Sequence, residues 1–211
     1  MNPRAEQQPT VFVIDDEGAM REALSSLFRS VGLQVKAFAS APEFLQSKLS
    51  DGPCCMVLDV RLPELSGLDF QTELARRNIQ IPIVFMTGHG DIPMSVRAMK
   101  AGAVEFLPKP FRDQDMLDAV QTGLEQDRKR RKNAGDMTKL KASFDSLTAR
   151  EKEIFVLVTA GLMNKQIAAE IGITEITVKV HRGNVMRKMG AKSLAQLVRM
   201  ADALGVRRAD S

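Results

Sequence analysis

The chain has 211 residues, 44% of them hydrophobic and 27% charged, with a formal net charge of +4; this is too apolar for a disordered polymer and ordinary for a globular one. Its length suits one large domain or two small ones, each able to bury a core. Its longer apolar runs, such as Cys54 to Leu58, fall far short of the roughly 18 residues a membrane span needs. Residues 1–8 carry no apolar stretch ahead of a cleavage-like site, so the expected location is the cytoplasm, away from any membrane. Residues 1–8 and 207–211 are expected to be mobile tails.

The small net charge hides an asymmetry. Residues 1–127 hold 12 Lys and Arg against 18 Asp and Glu, whereas residues 128–211 hold 18 against 8. A basic C-terminal module points to a polyanion, most often nucleic acid, and an acidic N-terminal one does not. The run Arg128-Lys129-Arg130-Arg131-Lys132 marks the join, and the polar Asn133-Ala134-Gly135-Asp136 after it reads as a helix end and linker, its charges solvated.

The first half alternates strand and helix five times. Val11 to Ile14, Val35 to Ala39, Met56 to Leu58, Ile81 to Met86 and Val104 to Leu107 are short apolar segments, as strands covered on both faces should be. In the first helical pattern Met20, Leu24, Leu27/Phe28 and Val31 step by three and four, and Gly32 follows as a stop. Such alternation predicts a parallel sheet with helices on both sides and a ligand site at the carboxyl ends of the strands. Cys54 and Cys55, adjacent on a strand, face opposite sides and are expected to be buried small apolar residues, not a staple or a metal set.

The strand ends carry the chemistry. The first ends in Asp15-Asp16-Glu17, the third in Asp59, the fourth in Thr87, and the fifth runs into Lys109. Carboxylates crowded on one rim repel one another unless a hard cation joins them, and Mg²⁺ suits one or two carboxylates plus waters and a phosphate. A carboxylate beside a cation and a lysine can attack a phosphoryl donor to give an acyl phosphate.

In these residues the first half, about 9–125, resembles a response-regulator receiver domain. The resemblance implies a five-stranded parallel sheet in the flavodoxin-like order 2-1-3-4-5. It implies that Asp59 accepts the phosphoryl group of a sensor histidine kinase, and that Asp15 and Asp16, with Asp59 and the carbonyl of Arg61, hold Mg²⁺. Thr87 and Lys109 would contact the phosphoryl group, Phe106 would be the switch aromatic, and Lys109-Pro110 would be cis. The segment Thr87-Gly88-His89-Gly90-Asp91-Ile92-Pro93-Met94 is similar to the FixJ subgroup, with His89 a loop residue near the site and not a metal ligand. The rival is an enzyme, a phosphatase of the haloacid dehalogenase type, which also forms an acyl phosphate but carries a second aspartate two residues after the nucleophile; Arg61 stands there instead.

From residue 147 the pattern is helical throughout. Thr148-Ala149-Arg150-Glu151 is a capping box ahead of Ile154, Leu157 and Val158, and Gly161 ends that helix. Asn164 is expected to cap a short second helix, Gly172 to turn the chain, Thr174 to cap a third reaching Met189, and Ser193 a fourth with Leu194, Leu197, Val198 and Leu204 on its apolar side. A short helix, a glycine-containing turn and a longer cationic helix make a helix-turn-helix.

The run from Leu147 to Val198 resembles the LuxR/NarL-type DNA-binding domain, carried by Leu147-Thr148-Ala149-Arg150-Glu151, Asn164-Lys165-Gln166-Ile167-Ala168 and Thr177-Val178-Lys179-Val180-His181. On the third helix Ile176, Val178, Val185 and Met189 are expected in the core, with Lys179, Val180, Arg182 and Gly183 toward the groove. Lys179 and Val180 would then meet base edges, while Arg182, Lys165, Asn164 and Thr177 hold phosphates. Gly183 departs from the family, where a larger side chain is frequent. RNA is the competing ligand, but RNA modules offer aromatic platforms, and this half has only Phe144 and Phe155.

Together the two likenesses imply a regulator of the NarL/FixJ type with phrases shared with regulators of aromatic-compound catabolism. Its parts are a receiver at 9–125, a helical linker at 126–143 and a DNA-binding domain at 144–206. The partners implied are a sensor kinase, promoter DNA, RNA polymerase and a second copy of the chain. Phosphate on Asp59 would draw Thr87, let Phe106 turn inward and re-form the surface of the fourth helix and fifth strand, about 93–106, as a dimer contact. Beyond self-phosphorylation and slow loss of the phosphate, no enzyme activity is expected.

Overall fold

The computed structural model describes residues 8–63, 65–88 and 92–208, the side chain of Ile92 excepted. His89, Gly90 and Asp91, and the outer parts of both expected tails (1–7 and 209–211), lie outside the described residues. Two compact units divide between Arg131 and Lys132. The first runs β1 (Thr10–Ile14), α1 (Gly18–Ser30), β2 (Gln34–Phe38), α2 (Ala41–Gln46), β3 (Cys54–Asp59), α3 (Gly67–Arg76), β4 (Ile83–Thr87), α4 (Ile92–Lys100), β5 (Glu105–Pro108) and the start of α5 (Asp113–Asp145).

The strands pair in parallel in the order β2-β1-β3-β4-β5. Every residue of β1, β3 and β4 is buried, which is why those segments read as unbroken apolar runs. The expectation that all five strands are covered on both faces fails at β2 and β5, where Gln34, Lys36, Ala37 and Glu105 are exposed. These are the edge strands, and an edge position leaves part of a strand at the surface.

Alternate residues of a strand face opposite ways, so the sheet feeds two core layers. Phe12, Ile14, Met56, Leu58 and Phe85 pack with Phe44 of α2, Phe70 and Leu74 of α3 and Ala98 of α4. Val11, Val13, Val57, Val84 and Met86 pack with Leu24 and Phe28 of α1 and Met116, Val120 and Leu124 of α5. Cys54 and Cys55 are free and buried, one in each layer. Val31, expected on the apolar stripe of α1, is exposed: the helix stops at Ser30, Val31 is its C-cap, and Gly32 turns away at φ +82°.

The expected helix end near Asn133 to Asp136 does not occur. Residues 113–145 form one helix, and Gly135 lies within it. A lone glycine costs a helix only about 1 kcal/mol, less than its neighbours Arg, Lys and Ala sustain. Nor is the basic run simply solvated: Arg130 and Arg131 both donate to Asp127, at 3.0 Å and 2.6 Å through their Nε atoms.

The second unit holds the end of α5 and α6 (Ala149–Thr159), α7 (Asn164–Ile171), α8 (Glu175–Met189) and α9 (Leu194–Leu204). Ile154, Phe155, Val158, Ile167, Val178, Val185, Met189, Leu197 and Ala201 form its core, with Leu140 and Phe144 packed against it. Thr148, Thr174 and Ser193 cap α6, α8 and α9 through their side chains. Three expectations are corrected. Asn164 is the first residue of α7, not its cap; Met163 is the cap residue, its N–H bonded to Gln166 at 2.8 Å, and the Asn164 side chain is engaged elsewhere. Leu194 is partly exposed, at the first turn of α9 and off its packed face. Ile176, expected in the core, is 78% exposed, because at 3.6 residues per turn it lies about 200° around α8 from the buried Val178.

Candidate functional site

The parallel register sets Ile14 beside Leu58 and Asp59 beside Met86, so β1 and β3 deliver Asp15 and Asp59 to one rim. Carboxylate oxygens of Asp15, Asp16 and Asp59 all lie within 4.8 Å of one another. Asp15 and Asp59 are buried and Asp16 is exposed. Lys109, just past β5, places Nζ 2.8 Å from Asp15 Oδ2 and 3.6 Å from Asp59 Oδ1. Thr87 ends β4, wholly buried, and its carbonyl accepts the Lys109 N–H at 2.7 Å. Lys109-Pro110 is cis.

Electrostatics at the rim follow from burial. Desolvation first, and then the negative charges of Asp15 and Asp16, push the Asp59 carboxyl above its ordinary range, against the pull of Lys109 and a backbone hydrogen bond from Arg61. Burial works against the charge on Lys109, but its bond to Asp15 and the charges of Asp15 and Asp59 outweigh it and hold the ammonium above its usual range. One lysine is thus shared by two buried carboxylates, with a third carboxylate beside them. The donor set is all oxygen, anionic and under-neutralised, which is the chemistry a hard divalent cation satisfies.

Arg61 is exposed two residues beyond β3. Phe106 is half-buried and packs its ring on Phe85, 6.2 Å between centroids. Two residues of the rim escaped the sequence reading. Arg21 reaches back from α1 to the carbonyls of Asp15 and Asp16, at 2.7 Å and 2.9 Å, fixing the backbone that aims those acids. Gly67 opens α3 against the end of β3, donating its N–H to the Val60 carbonyl at 2.9 Å. An arginine one turn into a helix after an acidic pair is the only signal for the first; the second has none.

In the second unit α7, Gly172 at φ +67° and α8 form the helix-turn-helix. Lys165, Lys179, Val180 and Gly183 are exposed, and Asn164, Thr177 and Arg182 are half-buried. Arg182 donates to Asn164 Oδ1 at 3.0 Å, tying α8 to the start of α7, so two of the residues expected at phosphates are joined to each other. Lys188 is also more than a solvated cation: it meets the nearly buried Glu151 at 2.6 Å, and Glu151 closes the capping box of α6. That bond from Lys188, with the Thr148 N–H, lowers the Glu151 carboxyl below its usual range.

Residues 11–121 match the response regulator receiver domain, and residues 145–201 match the luxR family of bacterial regulatory proteins. Nodulation protein W of Bradyrhizobium diazoefficiens is 60% identical over 96% of this chain and 89% of its own. Response regulator protein TmoT of Ectopseudomonas mendocina is 49% identical over 94% and 90%. Among solved structures, response regulator StyR is similar with a TM-score of 0.83 at 50% identity, covering 92% of this chain and 98% of that one. Full-length FixJ from B. japonicum gives 0.57 at 41% identity, covering 93% and 97%. The likeness takes in both units, and the chain belongs to the NarL/FixJ family of two-component response regulators, transcription regulators that join a receiver domain to a LuxR-type DNA-binding domain.

Proposed function

We propose that Asp59 is the phosphoacceptor of this regulator and that its phosphorylation controls promoter binding. The observation that carries this is the placing of Lys109 between Asp15 and Asp59 with three carboxylates within 4.8 Å. An Asp59 oxygen attacks the phosphorus of a phosphohistidine on a sensor kinase; the P–N bond breaks, its electron pair leaves on the imidazole, and an acyl phosphate results. Asp15, Asp16 and Asp59, with the Arg61 carbonyl, would hold Mg²⁺. When bound, the ion supplies positive charge to the phosphoryl oxygens. Lys109 supplies a further cation there, and the Thr87 hydroxyl a hydrogen bond.

The phosphatase reading lacks its acid. Arg61 occupies the place two residues beyond Asp59, and the only chemistry assigned to the chain is self-phosphorylation with slow loss of the phosphate.

Phosphorylation adds close to two negative charges at the rim. Movement of Thr87 toward them and of Phe106 into the space behind would remodel α4 and β5 as the contact for a second copy. We assign the receiver to 9–125, a helical linker to 126–143 and the DNA-binding domain to 144–206. Two paired domains then bind promoter half-sites at high effective concentration, and RNA polymerase is the further partner. Lys179 and Val180 would meet bases, and Asn164, Lys165, Thr177 and Arg182 phosphates; Gly183 lies toward the groove. No helix among the described residues is long and apolar enough to cross a membrane, which supports a place in the cytoplasm.

Asp59→Asn tests this reading. With acetyl phosphate and Mg²⁺, the wild-type chain should gain a phosphoryl group on Asp59 by mass spectrometry and dimerise by sedimentation. Asp59→Asn should do neither, while keeping salt-sensitive DNA binding. A variant that still dimerises on acetyl phosphate would contradict it.

A further inference from the structure

The exposed face of α8 is not the polar surface a solvated helix requires. Ile176 is 78% exposed and Val180 59%. They stand four residues apart, on one side of the helix. Lys179 and Gly183, at the third and seventh positions from Ile176, complete the same stripe, and a side chain added at Gly183 would meet nothing within 4 Å. Single exposed apolar residues are ordinary on protein surfaces. Two stacked on the helix that also carries exposed Lys179 and half-buried Arg182, beside exposed Lys165 of α7, are not a random scatter.

What covers this stripe must satisfy cations and an apolar ridge together. A second protein surface answers the ridge, but an acidic one would be needed for the lysines. The major groove of a duplex answers both, since phosphates flank it and thymine projects a 5-methyl group into it. Ile176 is the second residue of α8, behind the Thr174 cap, and residues at the start of a recognition helix are those that reach base edges. Its three terminal carbons offer no hydrogen bond, so the only base feature it can favour is that methyl.

We infer that Ile176 is a specificity-determining residue that reads a thymine 5-methyl group in the operator, one step from the base pair met by Val180. This rests on the DNA-binding reading above and adds to it the identity of a base. Ile176 extends the base-reading set beyond Lys179 and Val180 toward the start of the helix. The preferred site is therefore expected to carry thymines at two neighbouring positions of each half-site, with Lys179 meeting an acceptor-bearing base between or beside them.

The test replaces thymine by uracil, which removes the methyl and nothing else. The probe is the duplex that the wild-type full-length chain itself selects from a random pool, with uracil introduced at one position at a time. Loss of a methyl contact should weaken wild-type binding about fourfold at the position read by Ile176. Ile176→Ala should bind the unmodified duplex weakly and be insensitive to uracil there. It should remain sensitive at the position that Val180→Ala loses, and Ile176→Val should keep the wild-type pattern. Because Ile176 is exposed, unchanged thermal unfolding of Ile176→Ala is expected and shows that folding is not the cause. Equal uracil sensitivity in wild type and Ile176→Ala overturns the inference, as does a change in the oligomeric state of the DNA-free chain on Ile176→Ala. Failure of the wild-type chain to select any sequence removes the DNA-binding reading itself, whereas selection without a uracil effect removes only the role of Ile176.

Discussion

A methyl group placed on Gly67 would lie 2.5 Å from the backbone carbonyl oxygen of Asp59 and 3.1 Å from Val60 Cα. Both neighbours are backbone and cannot turn aside, so the first residue of α3 must lack a side chain for β3 to end where it does. Gly67→Ala should cost about 1–3 kcal/mol, the usual penalty for overpacking, and displace Asp59 from its partners. Urea denaturation should show the loss, and phosphorylation by acetyl phosphate should slow. Wild-type stability with wild-type phosphorylation would mean that the strand end yields.

Lys109 is the cation shared by Asp15 and Asp59, and removing one partner of a buried pair costs about 3 kcal/mol or more. Lys109→Met should therefore be strongly destabilised in metal-free buffer and partly restored by Mg²⁺, giving a larger Mg²⁺-induced rise in Tm than wild type. Asp59→Asn should behave oppositely. Burial raises the Asp59 carboxyl, so its ionised form weakens the fold at neutral pH. The amide should raise metal-free stability and reduce the effect of Mg²⁺. Equal Mg²⁺ responses in all three proteins would speak against a cation at this rim.

At the opposite end of β3 the wholly buried Asp127 accepts from the Cys54 N–H at 2.9 Å and from Arg130 and Arg131. Burial would raise its carboxyl, but the hydrogen bonds from Arg131, Arg130 and Cys54 prevail and hold it below the ordinary 3.8. A carboxyl lowered by folding adds stability that is complete above its unfolded value and is lost as pH falls through the folded one. Asp127→Asn should thus be less stable at pH 7 and show a shallower fall in stability below about pH 4. Parallel pH profiles for the two proteins would refute the clamp. The same surroundings, burial and the Asp127 charge foremost, push the Cys54 thiol up to about 11. It should react with alkylating reagents only on unfolding.

Arg182 and Lys179 lie three residues apart on α8 but differ in their ties. Lys179 is exposed, and Arg182 holds Asn164. Lys179→Ala should flatten base preference while leaving stability unchanged. Arg182→Ala should weaken binding to all duplexes, lower the salt slope by about 1, and cost about 1–2 kcal/mol of stability for the lost charge-assisted bond. Binding isotherms on selected and random duplexes at several salt concentrations separate the two; identical profiles would erase the distinction.

Gly183 lies inside a helix with open space around it, so the fold does not ask for glycine. Gly183→Ala should raise stability by about 1 kcal/mol and weaken DNA binding if the bare backbone seats against the duplex. Higher stability with undiminished binding would leave the glycine without a role at the groove.

The sequence alone established the two-part plan, a parallel sheet of alternating strands and helices, the strand-end residues Asp15, Asp16, Asp59, Thr87 and Lys109, and the caps Thr148, Thr174 and Ser193. The strand order 2-1-3-4-5 was implied by the family resemblance and is seen in the fold. The strand ends, capping boxes and alternation are legible because they are set by neighbours a few residues apart. Tertiary structure alone decided that Gly67 lies under Asp59, that Arg21 holds the acidic loop, that Asp127 reaches Cys54 across 73 positions and that Ile176 faces outward. Periodicity fixes which residues share a face of a helix, but the face that is buried is chosen by the elements that pack against it, and those arrive from distant parts of the chain.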